Sequence, residues 1–161
     1  MVSFDFSEQS DLNAWFVVND GVMGGSSQSN FTLNADGIGL FQGKVSLENN
    51  GGFTSVHCRF NPADVSNSGT LIICLKGDGK KCQVRIQENS DDCLSYITTF
   101  QTSGKWETIE LPLNEMFPSF RGRKLDLPNY SGNNTIVELT FLVGNEKAES
   151  FTLELQKAYL K

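Results

Sequence analysis

Apolar and polar residues alternate along several stretches of the chain, which predicts antiparallel β-strands with one buried face. The alternation is clearest over residues 82–87, 137–143 and 151–156. Residues 70–76 are instead a continuous apolar run between Gly69 and Gly77, which indicates a central strand buried on both faces. Shorter apolar runs add the strand candidates 3–6, 14–18, 37–47, 53–60, 94–101 and 105–111.

Helical periodicity is nearly absent. Residues 113–120 could form one short helical turn, which Pro118 would end, and Asp78-Gly79 predicts a tight hairpin turn. The chain shows no internal repeat of fixed length and no linker. About ten strands at short spacing therefore predict an all-β fold, most simply a jelly-roll β-sandwich formed by a single domain over residues 1–161.

Composition and charge narrow the function classes. The 161 residues are 39% hydrophobic and 20% charged, with a net charge of −6, and the one basic cluster is at residues 121–124. General nucleic-acid binding needs a clustered positive surface, so we do not expect it. Residues 1–12 contain no basic, apolar leader, and no segment approaches the roughly 20 apolar residues of a membrane span. We expect a soluble, cytoplasmic protein.

The four cysteines, at positions 58, 74, 82 and 93, contain no C-x-x-C pair. The single histidine, His57, is adjacent to Cys58 rather than at a zinc-finger spacing. Since there is no export signal, we expect reduced and mostly buried thiols rather than a disulfide framework.

Three segments carry more glycine and polar residues than turns require: 19–27, 47–56 and 117–125. Each has a plain structural interpretation as well. The Asn-Gly and Gly-Gly pairs are common in hairpin turns, and Asp20 could cap its own turn. Met23 could fill the core, and Arg121 and Arg123 could be solvated charges.

Known catalytic patterns are absent: there is no G-x-S-x-G, no Walker loop and no G-x-G-x-x-G. A nucleophile–histidine pair would need His57, which neighbours Cys58 on a predicted strand where adjacent side chains point to opposite sides. We therefore expect no catalytic residues and no cofactor. A structural cation such as calcium would use Asp20, Asp91 or Asp92, but no ligand spacing supports one, so no metal site is predicted.

Four motifs follow one another in a recognisable order: WFVVNDGVMGGSSQS (15–29), LFQGKVSLENNGGFTSV (40–56), YITTFQTSGKWETIELPL (96–113) and FRGRKL (120–125). Together they resemble the complex I intermediate-associated protein 30 family, over nearly the whole chain. The resemblance implies a galactose-binding-domain-like β-sandwich and a non-catalytic role as a chaperone in respiratory complex I assembly. Two positions depart from the family pattern: His57 stands where arginine is usual, and Cys82 where an aromatic residue is common.

The residues that match the family motifs form the candidate binding set. They are Asn19, Asp20, Val22, Met23, Gly24, Gly25, Ser26, Asn50, Gly51, Gly52, Phe53, Ser55, Arg121 and Arg123. We expect the three segments to meet at one face or edge of the sandwich, with Asp20 paired to Arg121 or Arg123. Val22 and Met23 would then tuck inward or contact a partner.

Two functions follow. The first is a binding or assembly-factor domain that engages a protein partner, because exposed loops rich in Gly, Asn and Arg suit recognition. The alternative is a carbohydrate-binding module, for which Trp15, Trp106, Tyr96 and Tyr130 are the available aromatic side chains. Both tryptophans lie in predicted strands, so we expect them in the core.

Overall fold

The computed structural model describes residues 3–89, 94–120, 123–132 and 135–161, with only the backbone at 22, 23 and 50. The described residues form two antiparallel sheets packed as a β-sandwich, which confirms the predicted all-β, jelly-roll fold class. The strands are β1 (Ser3–Asp5), β2 (Trp15–Asn19), β3 (Gln28–Leu33), β4 (Gly39–Val45), β5 (Thr54–Asp64), β6 (Thr70–Lys76), β7 (Lys81–Gln87), β8 (Leu94–Gln101), β9 (Trp106–Pro112), β10 (Phe117–Phe120), β11 (Arg123–Lys124), β12 (Thr135–Val143) and β13 (Glu149–Leu160).

The six-stranded sheet runs in the order β3, β4, β13, β6, β9, and its sixth strand, β1, pairs with residues 157–159 of β13. The seven-stranded sheet runs in the order β11, β10, β8, β7, β12, β5, β2. Buried aliphatic and aromatic side chains from both sheets fill the space between them. We call the side of the seven-stranded sheet that points away from this core its outer face.

The structure agrees with the predicted strands where the sequence pattern is strongest and departs from them elsewhere. β6 matches the predicted strand to the residue, and four of its seven side chains are buried because β9 and β13 flank it. β3, β10 and β11 were not predicted. The expected helical turn over 113–120 is a 3-10 turn at Leu113–Glu115, after which the chain extends into β10.

The two tryptophans have different environments. Trp15 packs against the core in a cluster with Phe4, Phe6 and Phe31, whose ring centroids lie 5.7, 5.3 and 4.9 Å from its own. Trp106 begins the edge strand β9 and is 47% exposed. The core prediction for Trp106 is wrong, because an edge strand with a solvated outer face leaves its first side chain uncovered.

The cysteines in the described residues are free thiols: Cys58 and Cys82 are buried, and Cys74 is partly buried. Burial raises the pKa of the Cys58 and Cys82 thiols to about 12. These two side chains therefore act as small apolar core residues. Cys93 lies outside the described residues.

Candidate functional site

The carboxylate of Asp20 accepts hydrogen bonds from both of the first two glycine-rich segments, 19–27 and 47–56. Asp20 begins a 3-10 turn that follows β2, and its side chain is fully buried. Oδ1 accepts a hydrogen bond from the Ser27 amide at 2.9 Å, and Oδ2 accepts one from the Ser27 hydroxyl at 2.5 Å. Oδ2 also accepts bonds from the amides of Gly52 at 2.6 Å and Phe53 at 3.3 Å. One carboxylate thus joins segment 19–27 to segment 47–56.

The glycines around Asp20 supply space and backbone freedom. A Cβ on Gly25 would overlap the Asp20 carboxyl group, and one on Gly51 would lie 2.5 Å from Asp20 Oδ2. Gly24 has a φ of +91° and ends the 3-10 turn, a left-handed conformation that other residues rarely adopt. Two candidate binding residues, Gly25 and Gly51, therefore also let the backbone close around a buried anion.

Other polar residues of the same segments tie the two sheets together. Asn19 Oδ1 accepts hydrogen bonds from Thr54 Oγ1 at 2.6 Å and from Ser29 Oγ at 2.9 Å. Those partners lie on β5 and β3, which belong to different sheets. Ser26 is exposed, and its hydroxyl donates to Ser46 Oγ or Glu48 Oε2 at 2.8 and 3.1 Å.

The hydrogen bonds also set the charge of Asp20. Desolvation by burial raises the pKa of a carboxyl group, but the bonds from Ser27, Gly52 and Phe53 outweigh it and hold the pKa of Asp20 below its usual value. Asp20 is therefore ionised at neutral pH, with backbone amides and a hydroxyl in place of a cationic partner.

The predicted ion pair between Asp20 and Arg123 is wrong. Arg123 is exposed on β11, at the opposite edge of the seven-stranded sheet from β2, with five strands between them. The backbone donors around Asp20 already satisfy its carboxylate, so no arginine is needed. The described part of segment 117–125 does not meet the other two segments, while Arg121 lies outside the described residues.

A pocket of about 380 Å³ opens beside this cradle and contains several of the predicted residues. Its lining consists of Asp20, Leu47, Gly51, Gly52, Phe53, Gly144 and Glu146, and we call it the loop-end pocket. Leu47 is 46% exposed. The side chains of Val22, Met23 and Asn50 lie outside what the structure describes, although the backbone of Val22 and Met23 belongs to the same turn as Asp20.

Ser55 belongs to a second polar cluster, on the outer face of the seven-stranded sheet. Its hydroxyl donates to the carbonyl oxygen of Val18 at 2.9 Å and lies 2.8 Å from His57 Nε2. His57 Nδ1 lies 2.9 Å from Thr140 Oγ1 and 3.4 Å from Glu138 Oε1. The His57 ring stacks on Phe16, with 5.1 Å between centroids.

Glu138 is buried and is held by two basic side chains. Arg59 Nε donates to Glu138 Oε1 at 3.1 Å, beside the contact with His57. Desolvation raises the pKa of Glu138, but His57 and Arg59 outweigh this effect and keep the pKa below its usual value.

Ser55, His57 and Glu138 follow one another through side-chain contacts, in the order serine, histidine, carboxylate that is found in the catalytic triads of hydrolases. However, Ser55 is buried and its hydroxyl donates to the Val18 carbonyl oxygen, whereas the serine of such a triad gives its proton to the histidine.

Sequence reasoning missed Leu47, Glu138, Arg59 and Phe16 as neighbours of the predicted residues. The period-2 pattern of β12 did place Glu138 on the polar side of its strand. Its partners could be identified only from the register of β5 against β12, which pairs Arg59 with Glu138 and His57 with Thr140.

The comparisons with known proteins agree with the motifs. A family model for complex I intermediate-associated protein 30 matches residues 4–155. The chain belongs to this family. The mouse protein complex I intermediate-associated protein 30, mitochondrial, is a relative that is 23% identical over an alignment 176 positions long, which covers 96% of this chain. The alignment covers 54% of the mouse protein, so the chain spans about half the length of that relative.

Solved structures similar to this member of the family include carbohydrate-binding modules. A family 11 module from Clostridium thermocellum, in complex with a β-1,3-1,4-mixed-linked tetrasaccharide, has a TM-score of 0.67 at 14% identity, covering 97% of this chain and 94% of the module. A family 29 module complexed with cellulohexaose has a TM-score of 0.60 at 12% identity, covering 99% and 90%. At these identities the likeness shows a shared β-sandwich fold.

The described residues contain neither a helix suited to span a membrane nor a cluster of metal ligands. No described helix is long and apolar enough to cross a membrane. Within the part of the chain that the structure describes, no group of three or more His, Cys, Asp or Glu side chains is placed to hold a metal ion. Asp91 and Asp92, named above as cation candidates, lie outside that part.

Proposed function

We propose that this chain is a non-catalytic binding domain that engages a protein partner during the assembly of respiratory complex I. Membership of the complex I intermediate-associated protein 30 family supports the assembly role. The buried, internally bonded hydroxyl of Ser55 supports a role in binding rather than in catalysis.

The observation that carries the proposal is that Leu47, an exposed apolar side chain, lines the loop-end pocket. The amides of Gly52 and Phe53 are bonded to the buried Asp20 carboxylate, so part of the pocket wall is fixed before any partner arrives. A preformed pocket avoids part of the entropic cost of ordering loops on binding. Apolar anchors that enter such pockets commonly carry much of the binding energy at protein interfaces. We assign to this pocket an apolar side chain of the partner, packed against Leu47 and Phe53.

Affinity capture with a matched pair of variants tests this function. Tagged protein is expressed in cells that assemble complex I, and the captured complex I subunits are quantified by mass spectrometry. Leu47→Asp places a charge at the pocket, whereas Leu127→Asp makes the same change at a residue that is 57% exposed and is not among the pocket-lining residues.

We expect the wild type and Leu127→Asp to capture the same complex I subunits. Capture by Leu47→Asp should fall at least about tenfold, since buried apolar anchors contribute on the order of 2 kcal/mol or more. Absence of complex I subunits from the wild-type sample contradicts the function. Equal capture by all three proteins contradicts the assignment to the pocket.

A carbohydrate-binding function is the second candidate, and a polar groove favours it. Two adjoining pockets of about 470 and 590 Å³ lie over β3, β4 and β13. Their lining includes the exposed side chains of Gln28, Asn30, Gln42 and Thr152, whose amides and hydroxyl can bond sugar hydroxyls. Calorimetric titration with a β-1,3-1,4-glucan tetrasaccharide tests this function. Heat that saturates and is lost in Gln42→Ala supports it, and the absence of saturable heat contradicts it.

A further inference from the structure

Arg85 lies at the centre of the outer face of the seven-stranded sheet. It belongs to β7, the fourth of the seven strands, and its neighbours Val84 and Ile86 point into the core. Its cross-strand partners are Thr140 on β12 and Ile97 on β8, both of which are buried. The Arg85 side chain is itself partly buried, although it lies on the solvent side of the sheet.

The guanidinium of Arg85 has no acidic partner among the described residues. Its Nε donates to Gln83 Oε1 at 2.5 Å, and no described carboxylate lies within 4.0 Å of the group. Glu138, on the neighbouring strand β12, is already held by Arg59 and His57. Burial lowers the pKa of Arg85, because desolvation disfavours its charged form.

The rest of this face is basic as well. The strand register puts the basic residues Lys81, Arg59 and Lys124 on the same face as Arg85, and among the described residues it places the acidic Glu138 and Asp64 there. The whole chain has a net charge of −6, so positive charge is concentrated here against the overall balance. A partly desolvated cation without a counter-charge is unfavourable, and a carboxylate that binds the guanidinium fork with two hydrogen bonds would relieve this cost.

The aromatic rings of this face favour an acidic peptide over a sugar. The guanidinium carbon of Arg59 lies 5.0 Å from the centroid of Phe16, and Lys124 Nζ lies 5.1 Å from that of Phe117. Both rings are therefore occupied by cations, whereas a bound sugar would need an open ring face.

We propose that the outer face of the seven-stranded sheet binds an acidic segment of the protein partner, with an Asp or Glu carboxylate of that segment paired to Arg85. This inference rests on the proposed protein-binding function and adds the chemistry of a second contact surface. β5 links the two regions along the chain, because it begins immediately after Phe53 of the loop-end pocket and carries His57 and Arg59 on the outer face.

The test uses an acetylated tetraglutamate peptide as the probe and follows the Nε–Hε signal of Arg85 by NMR. Tetraglutamine and tetragalacturonate are the comparison probes. Arg85→Gln removes the charge, and Arg85→Lys keeps the charge but loses the fork. Lys105→Gln is the control, because it makes the same charge change at an exposed residue before β9, on the other sheet.

We expect tetraglutamate to shift the Arg85 signal to saturation and tetraglutamine to leave it unchanged. Affinity should fall at least about tenfold in Arg85→Gln, because the charge-assisted hydrogen bonds between the carboxylate and the guanidinium are lost. The loss should be smaller in Arg85→Lys and absent in Lys105→Gln. Binding that persists in Arg85→Gln, a signal that never saturates, or tighter binding of tetragalacturonate than of tetraglutamate would overturn the inference.

Affinity capture separates this inference from the proposed function. If Arg85→Gln captures complex I subunits as well as the wild type does, the function stands and the role of Arg85 is wrong. If the wild type captures none, the proposed function and its acidic partner segment both fall, even where the peptide titration detects an anion at Arg85.

Discussion

The carboxylate of Asp20 fills the space that a side chain on Gly25 would occupy. The loop after β2 folds back so that the amide and the hydroxyl of Ser27 both donate hydrogen bonds to this carboxylate, and Gly25 lies in the returning part of the loop, before β3. Gly51 approaches the same carboxylate from the loop before β5. The two glycine-rich segments are thus explained by one buried anion that holds them together.

Alanine at Gly25 or Gly51 should destabilise the fold. Each added methyl group would collide with the Asp20 carboxylate and displace its hydrogen bonds, so we expect a loss of about 2–3 kcal/mol in the free energy of unfolding. Gly21→Ala is the control, because a Cβ at this position would point into open space, with no contact beyond its own chain neighbours. Urea unfolding measures all three. A loss at Gly25 and Gly51 no greater than at Gly21 would mean that the cradle adjusts freely.

Replacing Asp20 with asparagine should make stability less dependent on pH. The pKa of folded Asp20 lies below its usual value of 3.8, so its ionised form stabilises the fold above that pH, and this contribution is lost as the pH falls through the folded-state pKa. At pH 7 we expect Asp20→Asn to cost about 3 kcal/mol, because its amide group would face backbone N–H donors.

The difference between wild type and Asp20→Asn should narrow as the pH falls from 7 to 3, as measured by urea unfolding at each pH. Asp36→Asn, at an exposed turn, serves as the control. A gap that stays constant across this range would show that the Asp20 charge does not contribute.

The two tryptophans should report opposite environments. Trp106→Phe leaves Trp15, which packs in the aromatic cluster, and its fluorescence should be shifted to the blue and protected from acrylamide. Trp15→Phe leaves the exposed Trp106, which acrylamide should quench strongly. Trp15→Ala should cost about 3 kcal/mol in unfolding free energy, and Trp106→Ala less than about 1 kcal/mol. Equal quenching of the two single-tryptophan proteins would contradict the placement of Trp106.

The ion pair between Arg59 and Glu138 should be weakly coupled and sensitive to salt. Glu138 is buried, but the side chain of Arg59 is 58% exposed, so water and ions screen the interaction. A double-mutant cycle with Arg59→Gln and Glu138→Gln should give a coupling energy of at most about 1 kcal/mol, and it should decrease in 1 M salt. A coupling that is several times larger, or unaffected by salt, would mean that the pair is effectively sealed from solvent.

The strands that could be predicted are those in which a continuous apolar run, or a regular alternation of apolar and polar residues, shows which side chains are buried. β6 is apolar on both faces, and its boundaries follow from the sequence. β3 was missed because it is an edge strand in which only Phe31 and Leu33 are apolar. β10 was read as part of a helical turn, since its apolar residues match a helical spacing and its partner β8 is distant in sequence.

For the candidate site, the sequence identified several of the residues but not their bonding partners. The motifs singled out Asp20, Gly25 and Gly51, yet the sequence suggested an arginine as the partner of Asp20. The true partners are backbone amides and Ser27. Every residue other than proline carries a backbone N–H donor, so the sequence does not show which of them will bond Asp20. The role of these residues in binding a partner stays a prediction. Leu47 was overlooked because a single apolar residue before a turn carries no pattern until the fold places it beside a pocket.

The most direct test of the account is photo-crosslinking from position 47 in cells that assemble complex I. A photoreactive amino acid replaces Leu47 in one variant and Leu127 in another, and crosslinked proteins are identified by mass spectrometry. Binding through the loop-end pocket predicts a crosslink to a complex I subunit from position 47 and none from position 127. No complex I subunit at position 47, or the same products from both positions, would contradict the central claim.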